Sequence, residues 1–224
     1  MRKQLFQEKI KKVKIEWHIW IGRIMNKIIC HMSSINNLGS IISQGGLVCK
    51  KEIAENNVQY EDIANHDVQD KRSQTIVPFP PGGNLHCYVP FYFWGQTPML
   101  LVNQYRQNDI IFFVTHTETI ANAKIPFVFT DRHAVVSYAQ FYNNLENLNN
   151  LDWQTIKLKY WADIPEDPAR KEKKQAEFLI HKKLLWEQIY GIAVNNEDVL
   201  AKVETVLNGL QHKPIVKVKK EWYY

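Results

Sequence analysis

Seven short apolar segments, scattered unevenly along the 224-residue chain, constrain its fold more than any other feature of the sequence. Each is four to seven residues long and most are rich in β-branched or aromatic side chains, the pattern of a buried β-strand. They lie at residues 28–32, 89–93, 110–114, 127–130, 175–181, 189–194 and 215–218. Helices of regular length do not separate them, so a doubly wound parallel sheet is not expected. The sequence therefore predicts an α+β fold.

The intervening residues predict few helices. Residues 38–44 and 197–207 have helical patterns, and residues 134–145 form a third candidate. Gly45 and Gly46 end the first helix, because glycine tolerates the left-handed conformation at a helix C-terminus. Residues 50–75 are polar and weakly periodic, which predicts a long functional loop.

Positive charge is concentrated at the N-terminus. Residues 1–27 carry eight Lys or Arg against two Glu, whereas the other residues carry 20 basic and 21 acidic side chains. Apolar residues within 5–29 have the spacing of an amphipathic helix. We interpret residues 1–27 as a basic N-terminal extension, docked or partly ordered, and residues 28–224 as the functional domain. Adhesion of the extension to a membrane or to DNA is the alternative.

Several common site types are excluded. The three cysteines, Cys30, Cys49 and Cys87, cannot form a fully paired disulfide framework, and no zinc spacing or other metal motif is present. Neither a GxGxxG dinucleotide motif nor a nucleotide P-loop occurs. No apolar run approaches the ~20 residues of a membrane span, and no signal peptide is recognisable. A cytoplasmic protein without membrane contact is expected.

Taken alone, each candidate functional side chain also has an ordinary interpretation. His31 is either a packed core histidine or, with Ser33 on the same strand face, part of a ligand site beside the next helix. Arg72 is either a surface arginine or a clamp for a pyrophosphate. Glu177 is either an exposed partner of nearby lysines or a carboxylate that stabilises an oxocarbenium-like transition state.

Four blocks, in order, resemble the DarT family of DNA ADP-ribosyltransferase toxins. The blocks extend across almost the whole chain after the basic extension, so their series is far more specific than any one of them. They are residues 30–38 (CHMSSINNL) with 41–47, residues 88–93 (YVPFYF) with 97–100, residues 129–134 (FTDRHA), and residues 152–153 and 161 with 170–179 (RKEKKQAEFL), followed by a closing WYY at 222–224.

The resemblance implies a fold and an activity. The fold is the ADP-ribosyltransferase fold, a mixed split β-sheet core around an NAD cleft with flanking helices. The activity is transfer of ADP-ribose from NAD to a base in single-stranded DNA, thymidine in the best-known branch, with release of nicotinamide and no metal. The protein would be the toxin of a toxin–antitoxin pair, monomeric, with a macrodomain antitoxin.

The resemblance also implies residue roles. Glu177 matches the catalytic glutamate, and Arg72 matches an arginine that contacts NAD and helps to take the proton from the base. The remaining cofactor-binding positions are His31, Met32, Ser33, Ser40 and His133, and residues 53–74 resemble a mobile cover over NAD. The DNA-binding positions are Lys171, Lys173, Lys174 and Trp153, with Tyr92 as a second aromatic that either stacks a base or belongs to the core.

Two departures and two alternatives accompany this interpretation. Ser33 stands where many members have threonine, which keeps the hydroxyl, and Glu172 interrupts the basic run before Gln175. One alternative is an ADP-ribosyltransferase of the same fold that acts on guanine in DNA or on protein. The other is a non-enzymatic nucleic-acid-binding module that uses the basic extension and the aromatic residues.

Overall fold

A computed structural model describes residues 26–224 of the chain. The predicted amphipathic helix of the N-terminal extension lies almost entirely outside these residues. All seven predicted strands are confirmed, with ends that shift by at most two residues. The strands are β1 (Ile28–Ser34), β2 (Gly46–Val48), β3 (Tyr88–Tyr92), β4 (Ile110–His116), β5 (Phe127–Thr130), β6 (Phe141–Tyr142), β7 (Glu177–His181), β8 (Lys183–Leu185), β9 (Gly191–Val194) and β10 (Ile215–Val218).

Within the described residues, eight of these strands form one mixed sheet. Its order is β10-β9-β4-β1-β3-β7-β5-β6, and only the β10–β9 pair is parallel. The other two strands, β2 and β8, pair antiparallel as a separate small sheet. Strands that are far apart in sequence are therefore neighbours in space, and the predicted α+β class is confirmed.

Short helices pack around the sheets. The helices are α1 (Leu38–Ser43), α2 (Lys50–Glu55), α3 (His66–Gln74), α4 (Pro98–Val102), α5 (Thr117–Asn122), α6 (Trp153–Ile156), α7 (Arg170–Lys173) and α8 (Glu197–Leu207). The predicted helices at residues 38–44 and 197–207 are confirmed as α1 and α8. In α8 the buried positions are spaced four residues apart, which places them on the one face that packs on the core.

The core lies on both faces of the central strands. Phe91, Phe113 and Phe178 are fully buried on one side, and Phe112 is fully buried on the other. The rings of Phe129 and Phe178 are stacked at 6.1 Å between centroids, and they join β5 to β7. This packing fixes the position at which β7 begins.

The predicted long loop at residues 50–75 is wrong in part, because the segment contains α2 and α3. Helix α3 begins after Asn65, whose side chain accepts a hydrogen bond from the Val68 amide. The helix is polar on nearly all sides, so it gives no apolar periodicity in the sequence. Its stability comes from the cap and from tertiary contacts.

The predicted helix at residues 134–145 is also wrong. The segment forms turns and then β6, which pairs with β5. The Gln140 amide, which would bond to the Val136 carbonyl in a helix, donates instead to the Asp131 carboxylate, and the Ala134 amide donates to Glu177. Tertiary hydrogen bonds therefore override the local pattern.

Candidate active site

An open cleft of about 690 Å³ lies beside β1, α1 and the chain from α2 to α3. Its volume is within the range of small-molecule and cofactor sites. All six residues that the resemblance assigned to cofactor binding line this cleft: His31, Met32, Ser33, Ser40, Arg72 and His133. These residues come from four separate parts of the sequence, and the sheet and α3 bring them together.

Glu177 lies behind this wall, at the first position of β7, with 1% of its surface exposed. Its Oε2 accepts a hydrogen bond from Arg72 Nη1 at 2.7 Å, and its Oε1 accepts one from the Ala134 amide at 3.0 Å. His133 Nε2 lies 3.9 Å from the same Oε1. The interpretation of Glu177 as an exposed partner of lysines is therefore wrong.

The environment of Glu177 keeps it ionised. Burial alone would raise the pKa of this carboxyl group, but Arg72, His133 and the Ala134 amide together lower the pKa below its ordinary value. The unfolded carboxyl titrates near ~4.3. The ion pair therefore stabilises the fold above that pH, and this contribution is lost as the pH falls through the lower folded pKa.

Arg72 is held by α3 and is 6% exposed, yet it also lines the cleft. One of its nitrogens, Nη2, is buried and has no hydrogen-bond partner among the described residues. A buried unsatisfied donor is costly in a folded protein, and a ligand often supplies the missing acceptor. One arm of the guanidinium therefore binds Glu177, and the other has no hydrogen-bond partner within residues 26–224.

His31 is neutral over the physiological pH range. Burial lowers its pKa to about 4, against the opposing effect of a 2.8 Å hydrogen bond between Nδ1 and the Pro90 carbonyl. The carbonyl is only an acceptor, so Nδ1 carries the proton and Nε2 is an acceptor. A neutral imidazole of this tautomer can accept a hydrogen bond from a ligand hydroxyl or amide.

Asn37 and Glu61, which were not among the assigned site residues, also line the cleft. Asn37 donates to Ser33 Oγ at 3.1 Å and bonds both the amide and the carbonyl of Glu61. The Glu61 carboxylate in turn accepts from Ser34 and pairs with Arg106. These contacts fasten residues 56–65, within the predicted cover, to the end of β1.

The lysines predicted to contact DNA have three different environments. Lys171 is exposed and lines the cleft. Lys173 Nζ lies 2.9 Å from Asp167 and 3.6 Å from Asp152, so its charge is already compensated. Lys174 is 2% exposed and donates to the carbonyls of Ile156 and Leu158, each at 2.6 Å. The expected contact of Lys174 with a DNA phosphate is therefore wrong, because these two backbone carbonyls enclose its ammonium group.

Trp153 also has a structural environment. Its ring packs edge-on against Phe93 at 5.2 Å, and its Nε1 donates to the Leu148 carbonyl at 2.7 Å. The ring does not line the cleft. Stacking of a DNA base on Trp153 does not fit this placement, whereas Tyr92, the second aromatic considered, does line the cleft.

Metal and membrane features are absent from the described part of the chain. Residues 26–224 contain no group of three or more His, Cys, Asp and Glu arranged to hold a metal ion. Across the same residues, no helix combines the length and the apolar character that crossing a bilayer requires.

Comparisons with known proteins agree with this geometry. Residues 30–224 match the family model described as DarT, ssDNA thymidine ADP-ribosyltransferase. A DNA ADP-ribosyl transferase of Thermus aquaticus is 40% identical over 208 residues, which cover 88% of this chain and 89% of that protein.

Solved structures are similar as well. Thermus sp. 2.9 DarT in complex with ADP-ribosylated ssDNA has a TM-score of 0.82 and 39% identity, over 88% of this chain and 96% of that one. The same protein in complex with NAD+ has a TM-score of 0.77 and 37% identity, over 88% and 98%. The likeness confirms the ADP-ribosyltransferase fold.

Removal of one partner of the buried ion pair should destabilise the protein more than removal of both. We expect Arg72→Met to lower the free energy of unfolding by about 3–5 kcal/mol at pH 7, because Glu177 is left buried and unpaired. The double variant Arg72→Met/Glu177→Gln should recover most of that loss. Urea unfolding followed by circular dichroism measures the free energy of unfolding of each variant. A double variant whose loss equals the sum of the losses of Arg72→Met and Glu177→Gln would contradict the pairing.

His31 should not titrate near neutrality. We expect its Hε1 resonance in a proton NMR titration to stay constant from pH 8 to about pH 5, with a midpoint of about 4. The unfolded histidine binds a proton near 6.5, so the folded protein loses stability as the pH falls between these two values. A midpoint close to 6.5 in the folded protein would show that the imidazole is not buried as described.

Proposed function

Because the chain belongs to the DarT family of DNA ADP-ribosyltransferases, which use NAD as the ADP-ribose donor, we propose that it modifies thymidine in single-stranded DNA. The observation that supports this proposal most directly is the buried Glu177–Arg72 pair at the wall of a cleft of cofactor size. The thymidine assignment and the residue roles given below are our proposals.

The cleft suits a dinucleotide whose reacting end lies near β1. His31, with Nε2 as acceptor, and the Ser33 hydroxyl would hold the nicotinamide ribose and amide; both residues line the cleft. Arg72 Nη2, which has no hydrogen-bond partner among the described residues, would donate to a phosphate oxygen, to which guanidinium groups bind strongly. Met32, Ser40 and His133 complete the proposed cofactor-binding wall.

Glu177 would act on the bond that breaks. The glycosidic bond between the ribose C1′ and the nicotinamide nitrogen opens, and its electron pair goes to the nitrogen, which leaves as neutral nicotinamide. Positive charge then develops on the sugar. An ionised carboxylate in a water-poor site stabilises such charge, and it needs no reorganisation because Arg72 and the Ala134 amide already orient it.

The base then attacks C1′ through a ring nitrogen, which loses its proton. Arginine is always protonated in proteins, so Arg72 can take up a proton only as it gives one away. Its Nη1 is 2.7 Å from Glu177 Oε2, which is the nearest acceptor for that exchange. The two residues would therefore act as one unit.

Single-stranded DNA suits this geometry. An unpaired base enters the cleft without the few kcal/mol of unstacking and unpairing that a duplex requires. Lys171 is exposed at the cleft and would contact a backbone phosphate. The binding should weaken as salt increases, because phosphate contacts release counterions.

The biological setting follows from the same resemblance. We infer that the protein is the toxin of a toxin–antitoxin pair in the cytoplasm, monomeric, and that a macrodomain antitoxin removes its mark. Residues 28–224 would form the transferase domain, and residues 1–27 would be an extension to it.

Glu177 is the decisive residue for transfer. With labelled NAD and a mixed-sequence single-stranded oligonucleotide, Glu177→Gln should lower the rate of DNA labelling at least ~100-fold, because the charge that stabilises the sugar cation is lost. Glu204→Gln, an equivalent change on the exposed face of α8, should label at the parental rate. Parental labelling by Glu177→Gln would remove the residue from the mechanism.

The modified base is tested with oligonucleotides that each lack one base type. We expect labelling to vanish only when thymidine is missing, and mass spectrometry of the product should place one ADP-ribose on a thymine. Labelling that depends on guanine, or that appears on protein, would instead support the alternative acceptors. Retention of DNA without any consumption of NAD would indicate a binding module rather than an enzyme.

A further inference from the structure

The hydroxyl of Thr130 is a buried polar group that the proposed chemistry does not use. Thr130 is the last residue of β5, and none of its surface is exposed. A buried hydroxyl is costly unless it is hydrogen-bonded, and it can both donate and accept. Here it donates to the Arg132 carbonyl at 2.6 Å and accepts from the Glu177 amide at 3.2 Å. One hydroxyl therefore joins the turn after β5 to the first residue of β7.

This link lies where the pairing between β5 and β7 ends. The last residues that pair in register are Phe129 and Phe178. One position farther on, the Glu177 amide donates to the side chain of Thr130. Valine has nearly the same shape as threonine and suits a strand equally well, but it cannot accept this hydrogen bond. The hydroxyl, and not the shape of the side chain, therefore makes the link.

The turn itself is held at both ends of one peptide unit. The carbonyl of the peptide between Arg132 and His133 accepts from Thr130, and its N–H donates to the Glu172 carbonyl at 2.9 Å. A peptide unit is planar, so two hydrogen bonds on opposite sides restrict its orientation. The next amide along the chain is that of Ala134, and it donates to Glu177 Oε1 at 3.0 Å.

These hydrogen bonds form a closed circuit around the carboxylate. It runs from the Glu177 amide to the Thr130 hydroxyl, through the turn to the Ala134 amide, and back to Glu177 Oε1. Both the backbone and the side chain of Glu177 are thereby connected to the same hydroxyl. Arg72 binds the other carboxylate oxygen, Oε2, whereas the circuit holds Oε1. Fully satisfied buried networks of this kind make the groups that they join rigid.

We propose that Thr130 is a positioning residue for Glu177, and that its hydroxyl orients the turn so that the Ala134 amide holds Oε1 in place for the reacting sugar. This inference rests on the proposed function of Glu177 and adds the residue that aims it. Thr130 does not line the cleft, so it acts through Glu177 and not on NAD. Its loss should slow the chemical step and leave the binding of NAD unchanged.

The test removes the hydroxyl with Thr130→Val, which keeps the shape, and compares it with Thr130→Ser, which keeps the hydroxyl. Thr130→Ala and Thr130→Ser differ only in that hydroxyl, so this pair decides the question if the valine variant does not fold. Thr115→Val is the matched control. Thr115 is also fully buried and donates to a carbonyl, that of Gln188 at 2.7 Å, but neither residue lines the cleft.

Kinetics are measured with labelled NAD and a single-stranded oligonucleotide that contains thymidine. Thr130→Val should lower kcat by ~10- to 100-fold, because a small displacement of a catalytic group is costly. The KM for NAD should not change, and Thr130→Ser and Thr115→Val should keep most of the parental kcat. A parental kcat in folded Thr130→Val, an equal loss in Thr130→Ser, or a raised KM for NAD with parental kcat would each overturn the proposal.

The Ala134 amide proton gives a readout that needs no activity. An amide proton bonded to a carboxylate resonates downfield, and Glu177→Gln identifies this resonance in the NMR spectrum. The downfield shift should persist in Thr130→Ser and Thr115→Val and should be lost in Thr130→Val. An unchanged resonance in Thr130→Val would overturn the circuit and leave the proposed function intact. A parent that never labels DNA would refute the proposed function, and the resonance would still decide whether Thr130 positions Glu177.

Discussion

The ion pair between Arg72 and Glu177 is the interaction on which the site depends. An ionised carboxylate is costly in a protein interior unless charges and hydrogen-bond donors compensate it, and here Arg72 and the Ala134 amide do so. These partners come from α3 and from the turn after β5, so pairing Glu177 requires both elements to pack against the start of β7. The same contacts leave an ionised group in a site poor in water, where it acts most strongly on a developing positive charge.

A second polar cluster holds the opposite wall of the cleft. Asn37 binds the backbone of Glu61 on both sides and also the Ser33 hydroxyl, which links the cover segment to the strand assigned to the nicotinamide end. Glu61 is tied further to Ser34 and Arg106. Segment 56–65 has no regular secondary structure, so these hydrogen bonds, together with the packing of Ile63 against the core, determine where it lies. The shape of the cofactor cleft is therefore set largely by side chains outside the proposed chemistry.

The sequence predicted the strands well because their apolar runs are bounded by turn residues. It did not predict that Glu177 is buried, since its main partner, Arg72, is 105 positions away in sequence and belongs to a polar helix without apolar periodicity. Lys174 was misjudged for a related reason, because a lysine in a basic run gives no sign that two carbonyl groups will enclose it. Similarity to a family supplied the candidate residues of the site, whereas their pairing is a property of the fold.

The account is tested most directly by a crystal structure of this protein with a non-reactive NAD analogue. It predicts the nicotinamide ribose beside His31 and Ser33, a ribose hydroxyl within hydrogen-bonding distance of the Glu177 carboxylate, and a phosphate oxygen on Arg72 Nη2. A dinucleotide bound elsewhere, or one bound in the cleft with Glu177 still sealed behind Arg72 and away from the sugar, would contradict the central claim that this carboxylate acts on the sugar.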